Sequence, residues 1–191
     1  MNLFLILIGA ALINNYVLVQ FLGMCPYFGV SKKSETALGM GVAVMFVMVV
    51  ASTMTHLFHQ HILVRFEIEY LQTIVFILII ASIVQFLEVF MKKNFPALYA
   101  MLGVYLPLIT TNCVIFAVTI INVNNEYTLI EAIIESLGAG LGFTLAIVLL
   151  AGIREKYNNN PDIPEAFEGL PMALFAAGLM SIAFMGFQGI I

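Results

Sequence analysis

Apolar runs of about 20 residues alternate along the chain with short stretches that carry the charges, prolines and asparagines. Each run is long enough for an α-helix to cross the hydrocarbon core of a bilayer, which takes about 20 residues. The runs cover 3–30, 36–58, 68–91, 97–121, 129–153 and 170–190. The connectors leave no room for a soluble domain between the helices. The pattern therefore predicts an all-α integral membrane protein with six transmembrane helices.

Composition agrees with this class. The 191 residues are 62% hydrophobic and 9% charged, with a mean hydropathy of +1.07. A soluble domain carries about 25% charged residues, so a soluble helical bundle is excluded. The seven Lys and Arg residues are scattered rather than clustered, which argues against nucleic acid as a partner. The partner that the composition does indicate is the lipid bilayer.

The basic residues predict how the chain lies in the membrane. Six of the seven follow the first, third and fifth runs, and only Arg65 falls on the opposite side. Loops rich in Lys and Arg stay in the cytoplasm, so the odd-numbered loops are predicted to be cytoplasmic and both termini outside. The six residues are Lys32, Lys33, Lys92, Lys93, Arg154 and Lys156.

The two halves of the chain resemble each other. Residues 99 positions apart match in "ALGMG" and "SLGAG", where Gly41 corresponds to Gly140, and Glu69 corresponds to Glu168. We interpret the chain as one transmembrane domain with a repeat over about 1–93 and a second over about 94–191. Three spans per repeat is an odd number, so the halves would enter the membrane from opposite sides, as an inverted repeat.

The two cysteines lie where the apolar runs contain helix breakers. Gly23 and Pro26 flank Cys25, and Pro107 with the polar run "TTN" precedes Cys113. In unbroken helices Cys25 would lie about 10 Å from the cytoplasmic end of its span and Cys113 about 13 Å from the outer end of its own. Inverted symmetry brings the two together near the midplane only if helices one and four are broken. Irregular backbone at this depth is tolerated only where protein or a cavity covers it.

Three interpretations of the cysteines follow from the residues alone. They are small apolar packing residues, a disulfide pair of a thiol-oxidising membrane enzyme, or metal ligands. Two thiolates are half of a four-cysteine [2Fe–2S] site, and the other half would come from a second chain. The spacing leaves these alternatives open.

At these residues the sequence resembles a known family. The segments "NNYVLVQFLGMCPYFGVSKK", "PALYAMLGVYLPLITTNCVIFAV", "LAGIREK" and "AGLMSIAFMGF" are similar to those of the A-type membrane subunits of the Rnf complex, the ion-translocating ferredoxin:NAD oxidoreductase of bacterial membranes. They are also similar to the E-type subunits of the sodium-pumping NADH:quinone reductase. The resemblance covers essentially the whole chain.

The resemblance implies a function and a set of partners. Proteins of this kind pair with a homologous E-type membrane protein of opposite topology, and each supplies two cysteines to one shared intramembrane [2Fe–2S] cluster. Cys25 and Cys113 are the ligands that this chain would supply. The D, G, C and B components of the Rnf complex would be further partners in the bacterial inner membrane. The chain would be part of a translocase, without catalytic activity alone.

A different class remains as the alternative. A small secondary transporter built on the same inverted repeat would use Cys25 and Cys113 only for packing. The chain has no Gly-rich phosphate loop, so in either case we expect no NAD or flavin bound to it. The coupling ion, whether sodium or proton, and its route are not specified by the sequence.

A group of three histidines, "HLFHQH", falls at the outer end of the second span. His56, His59 and His61 would need further ligands to hold a metal, and Glu67 and Glu69 follow them. Such a group is more often a polar interfacial loop, and its role stays open.

Other polar and small residues in the spans have structural explanations. Asn14 and Asn15 are explained by hydrogen bonds between helices. Gly138 and Gly142 form a small-xxx-small pair, which predicts a close helix contact. No span shows a central unpaired Asp, Glu, Lys or Arg, so we predict no self-contained carboxylate pathway for an ion.

Overall fold

The computed structural model describes residues 3–66, 69–94, 106–158 and 169–187, and every regular element among them is helical. Long apolar stretches with small side chains and few internal prolines favour helix, and in lipid a helix satisfies its own backbone. The α-helices are α1 (Leu3–Ile8), α2 (Met24–Val30), α3 (Ser34–Phe58), α4 (Val64–Phe66), α5 (Gln72–Asn94), α6 (Leu106–Thr110), α7 (Cys113–Asn124), α8 (Leu129–Asn158) and α9 (Leu170–Met185). Two π-helical segments, Gly9–Ile13 and His59–Leu63, and a 3₁₀ turn, Glu69–Leu71, complete them.

Four helical stretches of the described chain are long and apolar enough to cross a membrane. They are Ser34–Phe66, Gln72–Phe90, Pro107–Asn124 and Leu129–Tyr157. Two further apolar helices, Leu3–Ile13 and Leu170–Met185, are shorter. The prediction of an all-helical membrane protein is confirmed. The described residues contain four candidate spans, and they do not show the predicted six.

The boundaries differ from the prediction in two places. The predicted connector "HQHILVRFE" is helical from His59 through Phe66, because its bulky apolar residues continue the α3 helix through a π-helical segment. The predicted first span, 3–30, is broken as expected, but the break is longer than the signals Gly23 and Pro26 indicated, since regular helix ends at Ile13 and resumes at Met24.

The core of the fold is the packing of α3 against α8. A β-carbon on Gly41 would lie 2.6 Å from the Thr144 side chain, and one on Gly140 would lie 2.6 Å from the Met45 side chain. Both glycines therefore let the two helices approach closely, as small residues do in membranes. Gly41 and Gly140 are 99 positions apart, and so are Met45 and Thr144.

The first helical segment packs on the next turns of α8. A β-carbon on Gly138 would lie 2.7 Å from the Leu7 carbonyl oxygen, and one on Gly142 would lie 2.8 Å from the Ala11 carbonyl oxygen. The Asn15 amide donates to the Gly142 carbonyl oxygen at 3.0 Å. The predicted close helix contact and the predicted interhelical hydrogen bond of Asn15 are thus confirmed.

Some of the predicted features lie outside the described residues. These are the first part of the fourth span (97–105), the loop 159–168, which includes Glu168 of the repeat, and the end of the sixth span (188–190).

Candidate functional site

The chain between 14 and 23 interrupts the first apolar run. The π-helical segment ends at Asn14, whose N–H donates to the Gly9 carbonyl oxygen at 2.7 Å. The side-chain oxygen of Asn15 then accepts the N–H groups of Val17 and Leu18, at 3.0 and 3.3 Å. An asparagine that bonds to the backbone just after itself makes a turn instead of continuing a helix. The break in helix one is therefore built by Asn15.

A second break separates α6 from α7. Thr111 and Asn112 lie between the two helices. Asn112 is the N-cap of α7, and its side-chain oxygen accepts the Val114 N–H at 3.2 Å. Cys113 is the first residue of the new helix, just as Cys25 is the second residue of α2. The structure thus has a helix interruption directly before each cysteine.

The two interruptions meet. The backbone N–H of Gly23 donates to the Cys113 sulfur, with 2.9 Å between nitrogen and Sγ, although the residues are 90 positions apart. Cys25 follows Gly23 by two residues. Both thiols are free and both cysteines are exposed on the surface of the chain. The predicted convergence of the two cysteine segments is therefore found.

Gly23 is required at this contact. Its φ is +74°, in the left-handed region that only glycine adopts without cost. A β-carbon there would lie 2.7 Å from the Val114 side chain and 3.1 Å from the Asn112 side-chain oxygen. Because a larger residue cannot enter this space, only glycine lets its N–H reach the Cys113 sulfur.

The rest of the chain covers the first break. Tyr16, Val17 and Leu18 are all buried. The Ser181 hydroxyl of α9 donates to the Leu18 carbonyl oxygen at 2.6 Å, which satisfies a backbone group that the missing helix turn would have used. The middle of the break is thus covered by protein, which is the condition for irregular backbone at membrane depth, whereas Gln20 and Phe21 near its end are exposed.

Arg154 closes the far end of α2. Its guanidinium donates to the Phe28 carbonyl oxygen at 2.8 Å and to the Ser31 hydroxyl at 2.9 Å. Arg154 is 5% exposed, so this basic residue is part of the core as well as of the predicted cytoplasmic charge. A cation at the last carbonyls of a helix is electrostatically favourable and fixes where α2 ends.

A hydrogen-bond donor without a partner lies next to Cys113 in the chain. The side-chain nitrogen of Asn112 is buried and has no hydrogen-bond partner among the described residues. An unpartnered buried donor beside an exposed thiol fits an acceptor that would lie outside the chain, such as the sulfide of an iron–sulfur cluster. In the described residues no three His, Cys, Asp or Glu side chains are grouped to hold a metal by themselves.

Two contributors to this site were not singled out from the sequence. They are the Asn112 cap and Arg154. Asparagine directly before a helix start is a recognised N-cap signal, so Asn112 was within reach of sequence reasoning. Arg154 was counted only as a charge, because nothing local predicts that α2 would end against it.

The three histidines do not form a common site. His56 is 7% exposed, His59 has an edge-to-face contact with the Phe76 ring at 6.4 Å, and the exposed His61 ring lies 3.1 Å from the Leu57 carbonyl oxygen. They lie on helical backbone and not in a loop. His56 and His59 line a cavity of about 440 Å³ together with Glu126. Glu67, one of the two further ligands considered, lies outside the described residues.

Comparison with known proteins places the chain in one group. The family described as "Rnf-Nqr subunit, membrane protein" matches residues 3–191. The A component of the Na(+)-translocating ferredoxin:NAD(+) oxidoreductase complex of Acetobacterium woodii is 57% identical over 189 residues, 99% of this chain and 98% of the relative. The A component of the ion-translocating oxidoreductase complex of Syntrophotalea carbinolica is 51% identical over 190 residues, 100% of this chain and 98% of the relative. That of Azotobacter vinelandii is 50% identical over 191 residues, with coverage of 100% and 98%.

Proposed function

The chain belongs to the Rnf-Nqr family of membrane proteins, and we propose from this premise that it is the electron-relaying A component of an ion-translocating ferredoxin:NAD oxidoreductase complex. In this proposal Cys25 and Cys113 supply two ligands to an intramembrane [2Fe–2S] cluster. The chain has no catalytic activity of its own and acts only within the complex.

The observation that carries the proposal is the hydrogen bond from the Gly23 N–H to the Cys113 sulfur. It ties the segment before Cys25 to Cys113 and leaves both thiols free and exposed. A pair of packing cysteines would not need two helix interruptions, and it would be buried rather than exposed. These observations support the proposal of half of a shared cluster site.

Each residue around the cysteines has a role in this assignment. The thiolates of Cys25 and Cys113 would bind iron, and the cluster when bound would take up and release an electron. The Gly23 N–H donates to a ligand sulfur, and the free Asn112 amide is placed to donate to another sulfur. Such hydrogen bonds stabilise the reduced, more negative state and so tune the reduction potential.

The exposure of the thiols indicates where the other ligands come from. Two cysteines satisfy half of a four-cysteine site, so a second chain must cover them. We propose a homologous E-type membrane protein of opposite topology as that partner, with the D, G, C and B components of the Rnf complex around the pair.

The inverted repeat is part of the proposal. Gly41 packs on Thr144 and Gly140 packs on Met45, so residues that correspond in the two halves exchange the same contact. A two-fold axis generates reciprocal contacts of this kind. They support two inverted three-helix repeats of six membrane crossings, with both termini outside the bacterial inner membrane.

Topology is tested with reporter tags. A tag after Ile191 should be accessible from outside intact cells, and one at Asn159 only after permeabilisation. A tag at Ile191 that is accessible only from the cytoplasm would contradict the orientation and the inverted repeat.

The cluster assignment is tested in the complex purified with its membrane partners. Cys25→Ser and Cys113→Ser should each abolish one [2Fe–2S] EPR signal, lower iron by about two atoms per complex, and stop ferredoxin-dependent NAD reduction. Thr111→Ser, within the second break, is the matched control and should keep iron and activity. Full iron and full activity in either cysteine variant would remove that residue from the site.

The transporter alternative makes the opposite prediction. It requires a chain that is active without partners and free of iron, and in which Cys→Ala costs only packing energy, roughly 1 kcal/mol. Such a result would replace the electron-relay function by transport.

A further inference from the structure

A cavity of about 520 Å³ lies beside the π-helical segment Gly9–Ile13. The end of α7 and the first turns of α8 form its other walls. Its polar lining consists of Asn14, Tyr16, Gln20, Asn125, Tyr127 and Glu135. Nothing in the electron-relay function uses this cavity. π-helical segments inside helices frequently mark functional sites.

Glu135 is the central group of the cavity. It is 5% exposed, and its carboxylate accepts a hydrogen bond from the Tyr16 hydroxyl. Glu135 lies six residues into α8, about 9 Å from the start of the helix, and so within the apolar span. This buried carboxylate was not singled out from the sequence; it is paired with Tyr16 and lies away from the centre of the span. The spacing of Glu135 with Gly138 and Gly142 at i, i+3 and i+7, which places all three on the face toward helix one, was the available signal.

Among the described residues that line the cavity none is basic, so Glu135 has no cationic partner there. A buried carboxylate is costly to ionise unless a positive charge balances it. Burial is the main cause that raises the pKa of Tyr127, and the neighbouring Glu135 is the second, so the Tyr127 phenol is neutral. The cavity thus combines one buried carboxylate with several neutral oxygen atoms, including those of the exposed Asn14, Gln20 and Asn125 side chains.

We propose that this cavity is a binding site for a monovalent cation, with the Glu135 carboxylate as the charged ligand and the Tyr16 hydroxyl and an amide oxygen of Asn14, Gln20 or Asn125 as neutral ligands. Oxygen ligands select hard cations over transition metals. A single carboxylate neutralises one positive charge, so Na⁺ fits better than Ca²⁺ or Mg²⁺, whose sites usually contain more than one carboxylate. The inference rests on the proposed function, in which the complex moves an ion.

A continuous set of contacts joins the cavity to the cysteines. Tyr16, which holds Glu135, accepts the Leu22 N–H on its carbonyl oxygen at 2.9 Å. The next residue, Gly23, donates to the Cys113 sulfur. A cation at Glu135 and an electron at the cysteines would therefore act on the same interrupted segment of chain. Such coupling is reciprocal, so occupancy of the cavity should alter the reduction potential measured at the cysteines.

The experiment uses the whole complex in proteoliposomes, with Na⁺ as the probe and choline replacing it at constant ionic strength. Glu135→Gln keeps an acceptor for Tyr16 and removes the charge. The Na⁺ concentration for half-maximal ferredoxin-dependent NAD reduction should rise at least tenfold, and ²²Na⁺ uptake should fall by a similar factor at limiting Na⁺. Iron content and the [2Fe–2S] EPR signal should stay at the wild-type level, which separates this site from the electron relay.

Glu131→Gln is the matched control. Glu131 lies one turn earlier on α8, where its carboxylate accepts the Thr128 N–H at 3.0 Å at the start of the helix. It does not line the cavity, so this variant should keep the wild-type Na⁺ dependence.

A second variant decides the matter if Glu135→Gln does not assemble. Tyr16→Phe keeps the carboxylate and removes one neutral ligand, and it should raise the half-maximal Na⁺ concentration about threefold. Wild-type Na⁺ dependence in whichever variant assembles would overturn the proposal. A wild-type complex that contains iron and transfers electrons independently of Na⁺ would overturn it too, while a wild-type complex without iron would instead contradict the proposed electron relay.

Discussion

The two breaks before Cys25 and Cys113 bring a cysteine to the same place by different means. The first break is ten residues long, from 14 to 23, and includes two residues with positive φ, Phe21 and Gly23. The second consists of Thr111 and Asn112. The first is supported by α8 and α9, through the Gly142 carbonyl oxygen and the Ser181 hydroxyl, whereas the second is capped by its own Asn112. The interruptions that precede the two cysteines are therefore built from different sequences.

The difference in length has a physical consequence. A long irregular segment has many polar groups to satisfy, so it depends on distant residues such as Ser181 and Gly142. A two-residue break loses few helical hydrogen bonds and is satisfied locally. We therefore expect the segment around Cys25 to be sensitive to distant substitutions, and the segment around Cys113 to be sensitive mainly to its cap.

Gly23→Ala should lower stability most, because Gly23 makes the hydrogen bond to Cys113 that joins the two breaks. The left-handed φ and the approach to Val114 together should lower the free energy of unfolding by about 3 kcal/mol. Thermal unfolding of the purified complex measures the loss. Gly39→Ala on α3 is the control, since a β-carbon there meets nothing within 4 Å and alanine favours helix. Equal stability of the two variants would contradict the close contact.

Arg154→Met should affect α2, the helix that follows the first break and contains Cys25, and leave the second break intact. It removes two hydrogen bonds from a buried guanidinium to α2 and should cost about 2 kcal/mol. Lys156→Met, an exposed residue on the same helix, is the control and should change stability little. Maleimide labelling of single-cysteine chains without bound iron should show altered reactivity at Cys25 alone. An equal change at Cys113 would mean that the two breaks are one structural unit.

The class of fold was predictable because lipid imposes it. Long apolar runs can only be helices there, so helices such as α3 and α8 were assigned nearly to their ends. The interruptions were predictable in position, since Gly23, Pro26 and Asn112 are local signals. The length of the first interruption was not predictable, because its ten irregular residues are held by Gly142 and Ser181, which lie more than 120 positions away.

The burial of Glu135 was likewise not predictable from the sequence, because it depends on distant residues. It is one of two glutamates four residues apart at the start of α8, and in sequence both resemble solvent-facing end charges. Only the packing of Gly138 and Gly142 against helix one turns Glu135 inward. The cysteine segments, by contrast, were predicted from a local motif and a family resemblance. A local motif can be recognised in the sequence, but polar side chains that distant parts of the chain bring into one cavity cannot.

Asn112 variants test whether the second break depends on its own cap. Asn112→Ala loses the bond to the Val114 N–H and should cost about 1 kcal/mol. Asn112→Ser keeps a capping oxygen and should recover most of this, but it lacks the amide that has no partner within the chain. If that amide donates to the proposed cluster, Asn112→Ser should make the reduction potential more negative at nearly wild-type stability. A potential equal to that of the wild type would leave Asn112 as a cap only.

Ser181→Ala should lower stability least, and it compares how far each of the two breaks depends on α9. It removes the bond to the Leu18 carbonyl oxygen in the first break, and interhelical hydrogen bonds in membranes contribute about 0.6 kcal/mol on average. Ser82→Ala is the control, because that hydroxyl bonds only within its own helix, to the Leu78 carbonyl oxygen. Hydrogen exchange of the backbone amides around Leu18 should quicken in Ser181→Ala while exchange around Asn112 stays unchanged. Faster exchange at both breaks would show that α9 supports them jointly, and that the long break is not the more dependent of the two.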